Sequence, residues 1–467
     1  YLSGDKIAEA VMNFRQPRIS KEDANGNRVT DPQATLALRD KMERLRRTFA
    51  EWVLGTPQIA DDLELLYNRQ MNAMVKPQYH GQHLTLPGLS PLITPRPHQL
   101  DAVWRGIQDG SALYAHAVGS GKTLSLTATA MELRRLGMAN KPMILVPNHL
   151  ILQWPAEVLR YYPGAKVLAA TQFDLEASRR QQFFGRIATG DWDAVIIPYS
   201  SFGFIHVSDD FFNNLIQKQL TILEEFSRQY AEEFGKRDPK VKDLERAKKR
   251  LEGRLRKRRD DEKQDKLLTF EELGVDALFV DELHNYKNLF YVTKMRGVTG
   301  LGGGDAKRAF DLYSKVLYLQ QLNNGRGFFG GTGTPISNTL AEAYTLQRYF
   351  QPDLLESMGV EHFDAWSAAF ADTVTRVEVS PTGAGFSPRT SFSKFRNMPE
   401  LLHMLEQRLD IQTESMLQLP KPTLAGGQPT IVSVPASPVL KGYVEQLLKR
   451  AAHLPREGCD IALRPCR

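Results

Sequence analysis

At 467 residues the chain is too long for one hydrophobic core, and a typical domain of about 150 residues predicts roughly three units of ordinary globular composition. The net charge of +6 suits a polyanionic partner without requiring one, and no signal peptide or bilayer-length apolar run occurs, which argues against a membrane protein. The two cysteines, Cys459 and Cys466, indicate neither a metal cluster nor a disulfide framework, so a soluble protein in a reducing, cytoplasmic setting is expected.

Residues 1–90 are predicted to form an accessory segment made of helices. Apolar positions recur at helical spacing in "LALRDKMERLRRTFAEWVLG", residues 36–55, and an irregular Pro-rich stretch follows it. Because the chain begins with Tyr1 rather than Met, we expect it to be a fragment or a processed product of a longer protein.

Residues 91–360 show a different pattern, in which short apolar runs alternate with helical segments. The runs are "ALYAHAV", "PMILVP", "KVLAAT", "DAVIIP", "ALFVDE" and "GFFGGTGT". Strands that are apolar on both faces and separated by helices are typical of a parallel sheet covered by helices. The fold class predicted for this region is therefore α/β, as in nucleotide-binding domains.

A long charged stretch, residues 212–266, interrupts this alternation. It includes "VKDLERAKKRLEGRLRKRRDDEKQDK" and is broken near "GKRDPK", which predicts an antiparallel helical hairpin inserted into the domain. Two interpretations are open. The hairpin is either a solvated protrusion or a basic arm that contacts nucleic acid phosphates or a partner domain.

After residue 360 the pattern becomes mixed. Residues 361–425 are interpreted as a linker or brace. In residues 426–467, "PTIVSVPASPVLKGYVEQLLKRAAHL" predicts a strand and then a helix, the start of a further α/β unit that too few residues remain to complete.

The stretch "AHAVGSGKTLSL", residues 115–126, carries a phosphate-binding loop (P-loop) pattern in which His116 stands where the first Gly belongs. Glycines let backbone N–H groups curl around phosphate oxygens, Lys122 reaches the β- and γ-phosphates, and the Thr123 hydroxyl can ligate Mg²⁺. The helix that follows adds its dipole to the site. The predicted nucleotide-binding residues of this loop are Gly119, Ser120, Gly121, Lys122, Thr123 and Leu124.

An acidic pair, Asp281 and Glu282, ends the apolar run in "ALFVDELHNYKNL". A strand that delivers two carboxylates to its carboxyl end can place one near Mg²⁺ and one near the water that attacks the γ-phosphate. Asp281 is the candidate metal ligand and Glu282 the candidate base, with Lys122 as the third catalytic candidate. Alone, such a pair could equally be a strand cap, but together with the loop it favours a P-loop NTPase.

The third element is "GFFGGTGTPISNTLAEAY", which places Thr332, Gly333 and Thr334 after another apolar run. The two threonine hydroxyls could sense the state of the γ-phosphate and pass it to an adjacent domain. The alternative is a plain structural turn.

Taken in order, "RPHQLDAV", "GSGKT", "ILVPNHLILQWPAEVLRYYP", "DWDAVIIPYSSF", "VDELHNYKN" and "TGTPISN" resemble motifs Q, I, Ia, Ib, II and III of superfamily 2 helicases in the Swi/Snf-like branch. The stretches "YLSGDKIAEA", "YPGAKVLAAT", "TKMRGVTGL" and "LPKP" are further similar to the helicase part of large phage and plasmid adenine-N6 methylase/helicase fusion proteins, which are related to antirestriction proteins. This resemblance covers nearly the whole chain.

The resemblance implies a RecA-like first motor lobe that uses ATP and Mg²⁺, followed by an incomplete second lobe. It implies that Gln99 reads the adenine edge, with Arg96 and His98 beside it, and that His284 couples the nucleotide site to DNA together with Thr332, Gly333 and Thr334. It assigns DNA backbone contacts to Pro147, Asn148, His149, Ser200 and Ser201. No methylase motif occurs here, so a methylase domain is expected upstream of Tyr1 in the full-length protein.

The sequence departs from the family pattern in two places. Leu283 replaces the usual Ala of the Asp-Glu-Ala-His box, and motifs IV, V and VI do not occur. The leading hypothesis is a DNA-dependent ATPase that translocates on duplex DNA and whose turnover is impaired in this chain. The alternative is a module that binds nucleotide or DNA without turnover.

Overall fold

The computed structural model describes residues 3–12, 17, 19–22, 28–171, 173–235, 239–261, 268–293, 295, 298–299, 306–337, 339–379, 386–417 and 431–452. Four residues named above lie outside these ranges: Tyr1, Lys266, Cys459 and Cys466. None of the helices in the described ranges has the length and apolar character needed to cross a membrane.

The amino-terminal segment is helical, as its apolar spacing predicts. Its elements are α1 (Gly4–Met12), β1 (Ser20–Glu22), β2 (Arg28–Thr30), α2 (Pro32–Gly55) and α3 (Pro57–Tyr67). Asp31 caps α2 because its Oδ1 accepts from the amides of Gln33 and Ala34, while Pro32 supplies the first helical residue. The antiparallel pair β1–β2 was not predicted.

The centre of the fold is a seven-stranded, fully parallel sheet. Its strands are β3 (Ser111–His116), β4 (Pro142–Val146), β5 (Val167–Ala169), β6 (Ala194–Pro198), β7 (Ala277–Val280), β9 (Phe328–Gly331) and β12 (Leu409–Gln412). They lie in the order β12-β3-β9-β7-β4-β6-β5. The six apolar runs of residues 91–360 each supply one strand, so those predictions are confirmed.

Alternate residues of each central strand enter different cores, which shows that helices cover both faces of the sheet. In β7, Leu278 and Val280 belong to one buried cluster, and Ala277 and Phe279 belong to the other. The covering helices are α4 (Pro97–Asp109), α5 (Lys122–Arg135), α6 (Gln153–Tyr161), α7 (Ala177–Thr189), α8 (Tyr199–Phe202), α11 (Lys307–Leu322), α12 (Ala341–Phe350), α13 (Pro352–Ser357) and α14 (Phe363–Phe370). The predicted α/β class with a RecA-like parallel sheet is confirmed.

The charged insertion is a helical hairpin, as predicted, formed by α9 (Asp209–Phe234) and α10 (Pro239–Asp261). Val241, Leu244, Ala247 and Leu251 recur at helical spacing, are buried, and join the larger core together with buried residues of α9. The hairpin is therefore packed into the lobe on one face and exposes its charges on the other. Residues 262–266 of the predicted insertion lie outside the described residues.

The chain after residue 360 corrects two expectations. The remaining elements are β8 (Val298–Thr299), β10 (Ala371–Val379), β11 (Phe386–Phe395), α15 (Met398–Glu406), α16 (Glu414–Leu417) and α17 (Pro438–Ala452). First, β12 lies inside the stretch predicted as a linker, yet it pairs with β3, so the sheet of the lobe extends past residue 360. Second, residues 431–437 form no strand where one was predicted, whereas the helix after them is present as α17.

Candidate functional site

The predicted site residues gather at one edge of the sheet, because the carboxyl ends of parallel strands meet there. The P-loop follows β3 and the acidic pair follows β7. The segments that begin at Pro147, Tyr199 and Thr332 follow β4, β6 and β9. A larger cavity of about 1480 Å³, bordered by Asp109 and Arg408, lies at the opposite edge, away from these residues.

The loop after β3 has the backbone that phosphate binding requires. Gly119 and Gly121 have φ angles of 81° and 84°, a left-handed conformation that side chains disfavour, and α5 begins directly at Lys122. Lys122 Nζ donates to the carbonyl oxygens of His116 and Ala117 at 3.1 and 3.3 Å. Burial lowers the pKa of Lys122, and the nearby carboxylates of Glu282 and Asp281 oppose that shift. The predicted lysine therefore lies beside the predicted acidic pair.

Two residues assigned to adenine recognition, Gln99 and His98, contact the backbone of this loop. Gln99 is buried on α4, where its Oε1 accepts from the Arg96 amide at 2.8 Å and its Nε2 donates to the Ser120 carbonyl at 2.9 Å. The His98 ring nitrogen Nε2 lies 3.0 Å from the same carbonyl. A side chain at Gly121 would come within 2.2 Å of Gln99 Nε2, so glycine is needed there for close approach as well as for its φ.

The remaining loop residues differ in exposure. Ser120 and Leu124 are buried, whereas Thr123 is half-buried, so its hydroxyl is the more accessible of the two loop hydroxyls. A Cβ on Gly119 would meet no atom within 4 Å, which shows open space above the loop.

The acidic pair lies in two different environments. Asp281 is buried, and its Oδ2 accepts from the indole Nε1 of Trp154 at 3.0 Å. Burial raises the pKa of Asp281 to about 6, although the Trp154 hydrogen bond opposes the shift. Glu282 is only half-buried and has a φ of 52°, an uncommon backbone conformation for a residue other than glycine. That conformation turns the chain directly after the strand.

His284 connects this pair to the segment after β9. Its Nδ1 lies 3.1 Å from Oε2 of Glu282 and 3.1 Å from Oγ1 of Thr332, which is itself buried and accepts from the Thr334 amide at 3.2 Å. A Cβ on Gly333 would lie 3.7 Å from Nζ of Lys122. Thr332 is thus linked to Glu282 through His284, and Gly333 lies beside the P-loop lysine.

A cleft of about 610 Å³ begins at the acidic pair. It is lined by Pro147, Asn148, His149, Leu150, Tyr199, Ser200, Glu282, His284, Asn285 and Arg308. Oδ1 of Asn148 accepts from the Ser200 amide at 3.1 Å, which ties the two predicted DNA-contact segments together. Ser201 is the exception: the residue is only 2% exposed and does not line the cleft, and its DNA contact stays a prediction.

Sequence reasoning missed three side chains of this site. Besides Trp154, these are Tyr199, whose hydroxyl donates to the backbone carbonyls of Asp281 and Glu282, and Arg308. The Arg308 guanidinium lies 5.3 Å from the Tyr286 ring centroid and donates to the Asn285 carbonyl at 2.9 Å. Burial raises the pKa of Tyr199, so its hydroxyl remains a donor at neutral pH. The sequence signal for Trp154 and Tyr199 was their place in the stretches that resemble motifs Ia and Ib; Arg308 lies outside the quoted motifs.

The comparisons with known proteins agree with these motifs. A family model described as a probable helicase domain matches residues 104–413, and another, described as a domain of unknown function, matches residues 1–73. The chain is 23% identical over 401 residues to the Defense against restriction protein B of Escherichia phage P1, covering 75% of this chain and 17% of that protein. It is 37% identical over 84 residues to the uncharacterized ATP-dependent helicase YqhH of Bacillus subtilis (strain 168), covering 18% of this chain and 15% of that protein.

Among solved structures, the Sulfolobus solfataricus SWI2/SNF2 ATPase core in complex with dsDNA matches with a TM-score of 0.38 and 15% identity. That match covers 71% of this chain and 47% of the other. The predicted resemblance to helicases and to phage antirestriction proteins is confirmed. Since the helicase match at residues 104–413 spans more than half of the 467 residues, the chain belongs to the family of probable helicase domains.

Proposed function

We propose that this chain is the ATP-binding first motor lobe of a DNA-dependent ATPase that translocates on duplex DNA. The observation that carries the proposal is the convergence of the P-loop lysine, the acidic pair and the 332–334 segment at one sheet edge, with His284 in contact with both Glu282 and Thr332. The cleft that contains the predicted DNA-contact residues Asn148, His149 and Ser200 is also lined by Glu282 and His284.

The residues present fit Mg²⁺ and ATP. The open space above Gly119 leaves room for phosphate, and Gly333 keeps the approach to Lys122 Nζ free of a side chain. Thr123 and Asp281 supply oxygen ligands of the kind that Mg²⁺ prefers. When bound, Mg²⁺ would offset negative charge on the phosphates.

The chain's own groups account for the hydrolytic chemistry proposed. Lys122 would exchange its two backbone carbonyl partners for phosphate oxygens, which its charge favours. Glu282, less buried than Asp281, would accept a proton from the attacking water. Because His284 contacts both Glu282 and Thr332, a shift of either segment would alter the placement of this base. Catalysis would then follow from positioning and charge neutralisation.

The longer protein is also part of the proposal. The chain spans 17% of the length of the phage relative. We propose that a second RecA-like lobe follows this one in the full-length protein and that a methylase domain precedes it. The competing function is a module that binds nucleotide or DNA without turnover.

Two measurements with duplex DNA, single-stranded DNA and RNA distinguish these functions. One is the binding of each polynucleotide, and the other is phosphate release in its presence. The proposal expects duplex DNA to be the preferred polynucleotide, both for binding by this chain and for stimulation of a protein that contains both lobes. Equal responses to all three would contradict the assignment to duplex DNA. Binding with no turnover in a two-lobed protein would favour the module.

The first prediction concerns pH. Only the ionised Asp281 carboxylate binds Mg²⁺, and its pKa is about 6, so the gain in ATP affinity on adding Mg²⁺ should fall by about tenfold per pH unit below that value. Trp154→Phe removes the hydrogen bond that favours the carboxylate, so the fall should begin at a higher pH. Calorimetric titrations from pH 5 to 8 measure both effects. If the Asp281→Asn chain showed the wild-type pH profile, Asp281 would be excluded as the Mg²⁺ ligand.

The second prediction concerns base selectivity. Gln99→Ala should relax the preference for ATP over GTP, and it should also weaken both nucleotides because the Ser120 carbonyl loses its donor. Competition titrations with the two nucleotides give the ratio of affinities. A wild-type ratio, at whatever absolute affinity, would limit Gln99 to supporting the loop.

The third prediction concerns the basic arm, and the structure allows it to be tested without deleting a packed helix. Lys242, Lys249 and Arg256 are exposed on α10, so replacing all three with Gln leaves the buried face unchanged. If they bind DNA phosphates, the slope of log affinity against log salt should fall by about 0.9 for each phosphate that is no longer neutralised. Fluorescence anisotropy with a labelled duplex measures the slope.

The control removes the same net charge from the amino-terminal segment, through Gln at the exposed residues Lys41, Arg44 and Arg47 of α2. A lower slope in the α10 variant than in this control would support the interpretation of the hairpin as a basic arm that binds DNA phosphates. Equal slopes in wild type and both variants would leave the hairpin as a solvated protrusion.

A further inference from the structure

His116, the residue that departs from the general P-loop pattern, has a partner far along the chain. Its fully buried side chain ends β3, and its Nε2 lies 2.7 Å from Oδ2 of Asp410 on β12, 294 positions away. β12 pairs with β3 in parallel register, which places Gln412 opposite His116. Breaking a buried pair of this kind leaves one polar group without its hydrogen-bond partner, which is strongly destabilising. The pair therefore holds β3 and β12 together.

A backbone contact joins the same two segments. The Ala117 amide donates to the Gln412 carbonyl at 2.9 Å, directly beyond the paired strands. The carbonyl oxygens of His116 and Ala117 are the two groups that accept from Lys122 Nζ. β12 therefore contacts the residues that hold the P-loop lysine.

Arg105 fixes β12 from a third element, α4. Its Nη1 donates to the Leu409 carbonyl at 3.0 Å, its Nη2 donates to the Glu406 carbonyl at 2.6 Å, and Nη1 lies 4.0 Å from Asp410 Oδ1. Burial alone would raise the pKa of Asp410, but its hydrogen bond with His116 and the charges around it bring the pKa below its ordinary value. The Asp410 carboxylate is therefore ionised at neutral pH, where His116 and Arg105 fix its position.

We propose that His116 and Asp410 are positioning residues, a latch that sets the affinity of the P-loop for nucleotide and makes β12 respond to its occupancy. The inference rests on the proposed ATP site. With the latch closed, the start of the loop is already ordered before ATP binds. With it open, part of the binding energy goes into ordering residues 116 and 117.

The reciprocal effect follows by linkage: if β12 strengthens ATP binding, ATP must stabilise β12 by the same factor. Thr413 and α16 follow β12 directly. Nucleotide binding at the P-loop would thus reach the segment that leads towards the predicted second lobe.

The first test measures the ATP affinity of the full 467-residue chain by calorimetry, with folding checked by circular dichroism. Asp410→Ala and His116→Gly should each weaken ATP by about tenfold, within the usual range of coupling between sites. Asp410→Asn should retain most of the affinity, because its amide oxygen still accepts from His116. His116→Gly is the sharpest variant, since it restores the general P-loop pattern. ATP affinity equal to or above wild type in that variant would overturn the latch.

A double-mutant cycle with His116→Leu and Asp410→Leu covers the case in which Asp410→Ala unfolds, because leucine fills much of the space of either side chain but cannot form the hydrogen bond. The latch predicts that the double variant has nearly the same ATP affinity as whichever single variant binds ATP less tightly, because either change alone already breaks the pair. Fully additive losses would show that the two side chains act independently.

Hydrogen exchange separates a latch from a merely structural pair. ATP should slow exchange of the amides of Leu409–Gln412 in wild type, and in His116→Leu it should not. The amides of Val167–Ala169, at the far edge of the sheet, serve as the internal control. Equal slowing in both proteins would contradict the latch. A folded wild-type chain that binds no ATP would instead overturn the proposed function, so the two failures are distinguishable.

Discussion

Replacing Lys122 with Ala is expected to weaken ATP binding by at least about 100-fold while leaving the fold intact. A hydrogen bond to a charged group is worth about 1.5–3 kcal/mol, and this lysine has two carbonyl contacts that phosphate oxygens would replace. Titration calorimetry of the variant and the wild-type chain measures the loss. Unchanged affinity in a folded Lys122→Ala chain would show that the loop after β3 is not the phosphate site.

Lys141 provides a matched control for this variant. It is also a partly buried lysine whose pKa is lowered by burial, and its Nζ donates to two backbone carbonyls, those of Ala188 and Leu273. It precedes β4 and so lies at the opposite edge of the sheet. Lys141→Ala should keep the wild-type ATP affinity. A similar loss in both variants would indicate general damage to the lobe.

Replacing Glu282 with Gln is expected to slow ATP hydrolysis by about 100-fold or more, the usual range for loss of a general base, while ATP affinity stays close to wild type. The amide keeps the size of the side chain and a hydrogen-bonding oxygen for His284, but it cannot accept the proton. Single-turnover assays with protein in excess over labelled ATP are needed, because we expect slow turnover in this chain. An arginine from a partner lobe typically adds about 10³–10⁵ in rate, and we propose that this lobe belongs to the full-length protein.

Glu157→Gln is the control for that variant, because Glu157 is a half-buried carboxylate on α6 whose Oε1 lies 3.8 Å from Nη1 of Arg160. It should hydrolyse ATP at the wild-type rate. Equal rates in the Glu282→Gln and wild-type chains would assign the base to another residue. Fast hydrolysis stimulated by duplex DNA in wild type, abolished by Glu282→Gln, would mean that a second copy or another residue supplies the cross-cleft charge.

The sequence predicts most of the sheet because five of the six predicted strands are short apolar runs buried along their whole length. β12 escaped prediction for a physical reason: "LDIQ" lies at the edge of the sheet, and only its first residue, Leu409, is fully buried. With one open side, this strand carries the polar residues Asp410 and Gln412, so it lacks the apolar run that marked β5 at the other edge. The role of β12 beside the P-loop could therefore be read only from the fold.

The site was predictable where spacing dictates geometry and unpredictable where packing does. Gly119, Gly121 and Lys122 lie as the P-loop pattern requires, because backbone conformation fixes the pattern. Ser200 and Ser201 are neighbours in sequence, yet one lines the cleft and the other is buried. Trp154 reaches Asp281 across 127 residues of sequence. Contacts of that range depend on how helices pack against the sheet, which local patterns do not encode.

Titration of the wild-type 467-residue chain with ATP, with Mg²⁺ present and then chelated, tests the central claim most directly. The account predicts saturable binding at one site per chain, and it predicts that affinity falls sharply when Mg²⁺ is removed, because the ion that Thr123 and Asp281 would hold no longer offsets the charge of the phosphates. A folded chain that shows no saturable ATP binding with Mg²⁺ present would contradict the assignment of this lobe as a nucleotide-driven motor.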